Sequence, residues 1–266
     1  MPEVLTVPRP AGRVRRGLSV PLPLAGLGLL LLLWWTVTSQ PWLGPRSVLG
    51  GFSPQETLPV LWRLLVSGAL IEHGLLSLRR VLLGLALATA VGVPLGLMLG
   101  SSRSIERMLS PSFHLLRTVS PLSWMPLVII LLGIGDAAVV FLVAVAAVWP
   151  VLFSTAAGVQ QLERGWVLMA RSVGASGRQI LTYVVLPAVL PQIVGGVRLA
   201  VGLAWVVLVP AEMLGVTSGL GYFLLNTRDR LAYAELMAAI LAIGLVGLAL
   251  DTGVRLLTAA LPGVRR

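Results

Sequence analysis

Six runs of about twenty mostly apolar residues constrain this chain more than any other feature. They fall at 18–38, 81–99, 115–134, 137–159, 188–214 and 233–256. A helix of this length crosses the hydrocarbon of a bilayer, and backbone groups in lipid must pair within their own segment, which selects helices for runs of this kind. Composition agrees: of 266 residues, 57% are hydrophobic and 11% charged, whereas soluble domains carry roughly 25% charged residues. The expected fold class is an all-α polytopic membrane protein with about six transmembrane helices. The chain has no cysteine, which removes disulfides and thiolate metal sites, and its two histidines, His73 and His114, cannot make a multi-histidine metal centre unaided.

The formal net charge of +10 comes from arginine alone, since there is no lysine. In a soluble protein such a balance would point to nucleic acid. Here the arginines sit between apolar runs, so they report orientation, and no nucleic-acid partner is expected. With the N-terminus inside, Arg9, Arg13, Arg15, Arg16, Arg103, Arg107, Arg117, Arg164, Arg171, Arg178, Arg198, Arg255, Arg265 and Arg266 are cytoplasmic. Arg46, Arg63, Arg79, Arg80, Arg228 and Arg230 remain outside, a bias of 14 to 6 that places both termini in the cytoplasm. Arg79 and Arg80 are expected to snorkel outward from the start of their helix.

The organisation follows. Residues 1–17 form a basic cytoplasmic tail. Residues 18–38 form the first span, which ends in Trp34 and Trp35 and is read as a retained anchor rather than a cleaved signal. Residues 39–77 lie outside, with Leu58, Leu61 and Leu65 spaced as on a helix lying in the interface. Residues 78–256 form a core of five spans, and 257–266 a cytoplasmic tail.

Within that core, 160–187 is the longest inner connection. Leu162, Trp166 and Met169, then Ile180, Tyr183 and Val184, repeat at helical spacing, interrupted by Gly174 and Gly177 and closed by Pro187. Two short amphipathic helices hinged at Gly174 fit this pattern, with Gly174 expected to leave no room for a side chain. Such an element fits a groove on a soluble partner. Spacing and composition alone favour the simpler reading, a packed loop that joins two spans.

Other residues carry a bland reading beside the functional one. Gly84, Ala88, Gly92 and Gly96 recur every four residues and suit close helix packing. Trp124, Trp149, Arg198, Trp205 and Glu212 lie within spans or at their ends and are candidates for a solute path. Core packing or interface anchoring competes for the tryptophans, and an ion pair or snorkel for the charges. Arg198 and Glu212 stand about 21 Å apart along one helix and cannot pair; Asp251 and Arg255 are i, i+4 partners. Pro126, Pro150, Pro191 and Pro210 are expected to kink or unwind their helices. His73 is read as solvated or capping, and His114 as structural. A phosphate loop needs a lysine this chain lacks, and no catalytic cluster is visible, so the chain is not expected to be an enzyme or to bind a cofactor of its own.

The inner loop resembles something more specific. Ala170-Arg171-Ser172-Val173-Gly174-Ala175-Ser176, followed by Val184-Val185-Leu186-Pro187, is similar to the EAA loop of binding-protein-dependent ABC importer permeases. The triplet stands here as Leu168-Met169-Ala170, without its glutamate, while Gly174, Val184, Leu186 and Pro187 keep the register. The resemblance extends through Ser77-Leu78-Arg79-Arg80, Gly92-Val93-Pro94-Leu95-Gly96, Trp124-Met125-Pro126-Leu127, Gly133-Ile134-Gly135-Asp136, Gly196-Val197-Arg198-Leu199-Ala200, Ala211-Glu212-Met213-Leu214 and Gly219-Leu220-Gly221-Tyr222. It is nearest to the branch for aliphatic sulfonates, taurine and nitrate.

That resemblance implies a type I importer architecture in the bacterial inner membrane. It implies a permease homodimer, an ATPase dimer that holds ATP and Mg, and a periplasmic binding protein that delivers a small, anionic solute. Met169, Ala170, Arg171, Gly174, Ala175, Ser176, Leu186 and Pro187 would be the ATPase-coupling residues. The same type also serves thiamine pyrimidine precursors, bicarbonate and aromatic acids. A secondary transporter would call for an inverted repeat or paired intramembrane acids, and a membrane enzyme for a clustered polar site; neither pattern is evident in the sequence.

Overall fold

The computed structural model describes residues 22–39 and 48–260, which contain helices and turns and no strand. The basic tail, residues 40–47 and residues 261–266 lie outside the described residues. Two units divide the chain after Pro54. The first contains helix α1 (Leu22–Thr38), apolar along its length, and a short 3-10 turn at Val48–Phe52. The Trp34 indole donates to the Phe52 carbonyl at 2.9 Å and ties the two together.

The second unit holds the remaining helices: α2 (Pro54–Val66), α3 (Ala69–Ser101), α4 (Arg103–Thr118), α5 (Met125–Leu132), α6 (Asp136–Gln160), α7 (Arg164–Ser172), α8 (Gly177–Ile180), α9 (Leu186–Gly215), α10 (Leu220–Asp229) and α11 (Tyr233–Ala260). Four helical stretches are long and apolar enough to cross a membrane: α3, α6, Gly177–Gly215 and α11. The bent pair formed by α4 and residues 121–132 is apolar enough to make a fifth where the two helices serve as one broken span.

Its centre is a three-helix packing of α3, α6 and α9. Gly84 faces Val143, Gly92 faces Val148 and Val151, Gly96 faces Leu152 and Thr155, and Gly100 faces Ala156 and Val159. Residue numbers rise together on the two helices, so α3 and α6 run parallel. The expected small-residue face is the contact, and a Cβ at Gly96 would lie 2.5 Å from the Leu152 carbonyl oxygen. Helix α9 returns antiparallel, with Gly196 against Pro150 and Ser154, and Gly215 against Met125 and Val139. Fully buried Val81, Val139, Leu142, Val143, Val151, Ala200, Ala204 and Leu208 fill the space between.

Several boundaries differ from the sequence reading. The second span begins at Ala69, so 69–77 is helix rather than exterior loop. At about 50 Å, α3 exceeds a bilayer core of about 30 Å, so composition alone did not mark its polar first turns as part of the span. The third span is not one helix: α4 and α5 meet at 85°. Pro121 opens the intervening 3-10 turn, and a proline disfavours helical geometry in the residue before it. By contrast, α6 and α9 run uninterrupted through Pro150, Pro191 and Pro210, so unwinding there does not occur. The last helix reaches Ala260, four residues past the expected boundary at 256. Helix α10 was not anticipated, because its ten residues are too short and too polar for a span.

The α2 helix follows the expected interfacial pattern in part. Leu61, Leu64 and Leu65 pack against the Leu70, Leu220 and Phe223 cluster, while Leu58, Trp62 and Val66 remain exposed.

Candidate functional site

Two features stand at opposite ends of α9. The first is the α6–α9 connection. Helix α7 stops because Gly174 adopts φ 83°. The Gly174 N–H donates to the Arg171 carbonyl at 3.0 Å and the Ala175 N–H to the Ala170 carbonyl at 3.0 Å, which together form a Schellman stop with glycine at its left-handed position. Nothing lies within 4 Å of a Cβ built on Gly174. The expected lack of room is therefore corrected: the backbone conformation, not space, demands glycine there.

Two residues later Ser176 starts the next helix with a capping box. The Gln179 side chain accepts from the Ser176 N–H at 2.8 Å, and the Ser176 hydroxyl accepts from the Gln179 N–H at 3.4 Å. The anticipated pair of short helices is thus present, but the second is not separate. It passes through a π-turn at Leu181–Val185 into α9, and Gly177–Gly215 is one helical stretch of 39 residues. Pro187 follows just after the π-turn, and the local widening of the helix at Leu181–Val185 accommodates a proline inside the continuous stretch.

This connection carries an apolar hollow lined by Trp166, Met169, Val173, Tyr183, Val184 and Pro187. Met169, Val173 and Tyr183 are about three-quarters exposed, between 70% and 80%. Arg171, Ser176 and Pro187 are also exposed, while Ala170, Ala175 and Leu186 are half-buried. A concentration of exposed large apolar groups on a loop is the signature of a contact surface.

The second feature is a polar knot at the far end of α9. Arg80, expected to snorkel, is instead 1% exposed. Its five N–H donors are all used. Nη1 donates to Glu212 Oε1 at 2.6 Å and to the Ser218 carbonyl at 2.8 Å. Nε and Nη2 both donate to Asp136 Oδ1, at 2.9 and 2.7 Å, and Nη2 also donates to the Ser218 hydroxyl at 2.8 Å. Glu212 is fully buried and accepts further bonds from the Ser77 hydroxyl and, at 2.9 Å, from the Gly221 N–H. Ser77 itself accepts from the Leu220 N–H at 2.9 Å.

His73 joins the same knot. It is half-buried; its Nδ1 accepts from the N–H of Gly219, the N-cap residue of α10, at 3.0 Å, and its ring packs 5.3 Å from Phe223. Gly219 has φ 102°, and a Cβ there would collide with Arg80 and Glu212. A sequence signal for this site existed. Ser77, Arg80, Gly84 and Ala88 share one face of α3, and a carboxylate within a span, such as Glu212, requires a cation.

The five residues expected along a solute path sit on different neighbours. Trp124 packs against the central cluster. Trp149 lies 6.1 Å from Phe113 and 6.4 Å from Phe153, and Trp205 covers Gly247 of α11. Arg198 is exposed. Glu212 takes the ion-pair role weighed for it, with Arg80 as the partner. The Asp251–Arg255 pair forms at 2.7 Å. His114 is exposed and stacks on Phe153 at 4.8 Å. Among the described residues no group of three His, Asp or Glu could hold a metal.

Comparison with known proteins gives a consistent picture. Residues 92–263 match the family described as binding-protein-dependent transport system inner membrane component. The taurine transport system permease protein TauC of Escherichia coli is 34% identical over 90% of this chain and 88% of its own length. The putative aliphatic sulfonates transport permease protein SsuC of the same organism is 38% identical over 86% of each chain. An inward-facing structure of the methionine ABC transporter MetNI matches the fold with a TM-score of 0.54 at 21% identity, over 74% of this chain and 97% of that one.

Proposed function

We propose, starting from the fact that this chain belongs to the family of binding-protein-dependent transport system inner membrane components, that it is the permease subunit of an ATP-driven importer of a small anionic solute of the sulfonate class. The observation that carries the reading is the α6–α9 connection. A sharp, glycine-fixed stop presents exposed Met169, Val173 and Tyr183 beside Arg171, a surface suited to the groove of a soluble partner.

The partner in this proposal is a separate ATPase dimer, which holds ATP and Mg; the permease performs no hydrolysis and binds no cofactor. Met169, Ala170, Arg171, Gly174, Ala175, Ser176, Leu186 and Pro187 form the coupling surface. The α8–α9 stretch is continuous and about 58 Å long. Force applied at the loop therefore reaches the far end of α9 as a rigid-body displacement rather than being absorbed by a hinge. ATP binding biases the core between two packings by favouring one of them.

In this proposal the loop end and both termini face the cytoplasm of a bacterial cell, and the chain spans the inner membrane as a homodimer. The far end receives solute from a periplasmic binding protein. Helix α2 runs along the outer surface with Leu58, Trp62 and Val66 turned to lipid. The solute path, with Trp124, Trp149, Arg198 and Trp205 as its candidates, runs through the core. The sulfonate class is supported by the names of the taurine and sulfonate relatives.

Co-purification tests the reading: the permease with an intact connection should retain a cognate ATPase in detergent, and calorimetry on the cognate binding protein should show sulfonate binding. A permease that retains no ATPase would overturn the importer assignment. A binding protein that ignores sulfonates but takes a thiamine pyrimidine precursor, bicarbonate or an aromatic acid would overturn the solute class alone.

A further inference from the structure

We infer that Asp136 is a positioning residue for transport: its bond to Arg80 is a releasable latch at the far end of the core, and the Arg80–Glu212 bond is the fixed pin on which the latch closes. The inference rests on the importer reading and adds to it the place where the far end opens.

The two carboxylates on Arg80 are unequal. Glu212 has no exposed side-chain surface and is held by three donors, the Arg80 Nη1, the Ser77 hydroxyl and the Gly221 N–H. Among the described residues Asp136 is held by Arg80 alone, through a single oxygen, and its side chain is 48% exposed. Separating Arg80 from Glu212 strands a buried carboxylate. Separating it from Asp136 sends an already half-hydrated group to water and frees two Arg80 N–H groups, on Nε and Nη2, that the same water must meet, while Arg80 stays neutralised by Glu212 and bonded to Ser218. The knot therefore parts at Asp136.

What that parting frees is specific. Asp136 is the first residue of α6 and directly follows the turn Gly133–Ile134–Gly135 from α5. Beyond its local bonds to α5 and α6, from the Gly133 N–H to Ile129 and from the Ala138 N–H to Gly135, the turn is fastened to α9 by the bond from the Gly135 N–H to the Gly215 carbonyl at 2.9 Å. Its acceptor is the last residue of α9, the helix whose other end is the coupling surface. Helix α5 presents Ile130 and Leu131, and the turn Ile134, to the outside, and α5 packs on the core through Met125 and Val128. A shift of α9 transmitted from the loop carries Glu212, Arg80 and Gly215 together, and strains the two attachments of the α5–α6 turn at once. The latch is placed to give way there.

The test uses the full permease, alone and in its importer complex. In the complex, Asp136→Asn should keep the wild-type yield of bound ATPase. Its ATP hydrolysis without binding protein should rise, and its solute taken up per ATP fall, by about fivefold or more, the lower end of a typical coupling between sites. Asp136→Glu should restore both. In the permease alone, a cysteine at the fully buried Ala138 is a clean reporter because the chain has no cysteine. Asp136→Asn should raise its labelling by a membrane-impermeant maleimide by a similar factor. Unchanged labelling, or coupling equal to wild type, would overturn the latch. So would an Asp136→Asn protein as unstable as Glu212→Gln, which would make the residue merely structural. Because the labelling needs no ATPase, failure of the importer reading is told apart from failure of the latch.

Discussion

Arg80 and Glu212 form an ion pair of 2.6 Å in which neither side chain has appreciable contact with solvent. They lie on α3 and α9, and together they fix the turn 216–219 that leads into α10. Removing one partner of such a pair leaves an uncompensated buried charge and typically costs about 3–5 kcal/mol. Glu212→Ala and Arg80→Ala are each expected to lower the thermal midpoint of the detergent-solubilised protein severely or to prevent its accumulation. Thermal unfolding in detergent checks this, and midpoints within a few degrees of wild type would refute the pairing.

Gly174 is expected to tolerate substitution in the order Asn, Ala, Val. The left-handed conformation at φ 83° costs an L-residue roughly 1–2 kcal/mol, least for Asn and most for β-branched residues. No steric clash adds to this, because no atom lies within 4 Å of the added Cβ. Gly174→Val should abolish ATPase co-purification and transport while membrane insertion is unchanged. Equal ATPase retention by all three variants would remove the turn from the coupling mechanism.

Gly96 behaves differently, because its constraint is space. A Cβ there meets the Leu152 carbonyl oxygen at 2.5 Å and Thr155 Cβ at 2.6 Å. Gly96→Val should therefore part α3 from α6 and destabilise by about 1–3 kcal/mol or more, as overpacking does. Gly244→Ala on α11, with nothing within 4 Å, should be close to neutral. Parallel melting curves of the two variants decide the point, and a neutral Gly96→Val would contradict the packing described.

Both termini are expected in the cytoplasm. A reporter fused after Arg266 should be active only if it folds inside the cell, and activity confined to the periplasm would reverse the whole orientation.

The sequence made the spans of α3, α6, α9 and α11, the α3 packing face and the Gly174 stop legible because each rests on a local rule: apolar length, spacing by four, and a glycine closing an amphipathic run; the described part of the first expected span is a shorter apolar helix of 17 residues. It did not reveal the Arg80 knot, whose parts come from α3, α6, α9 and the turn before α10, since pairing between distant segments leaves no period to read. Arg80 beside Arg79 looked like a snorkelling pair, and only burial distinguishes them. The break between α4 and α5 was masked by its own hydropathy, which stays high across Pro121 and Pro126. Among the expected path residues, Glu212 reads as a costly intramembrane charge, but nothing in the sequence names Arg80 as the group that neutralises it.

The central claim is that a separate ATPase drives this chain through the loop after α6. Uptake of a radiolabelled sulfonate into proteoliposomes containing the permease, with and without its ATPase, tests it most directly. The account predicts uptake only when ATPase, ATP and binding protein are all present, and none with the Gly174→Val permease. Sustained uptake by the permease alone, driven by an ion gradient, would contradict it.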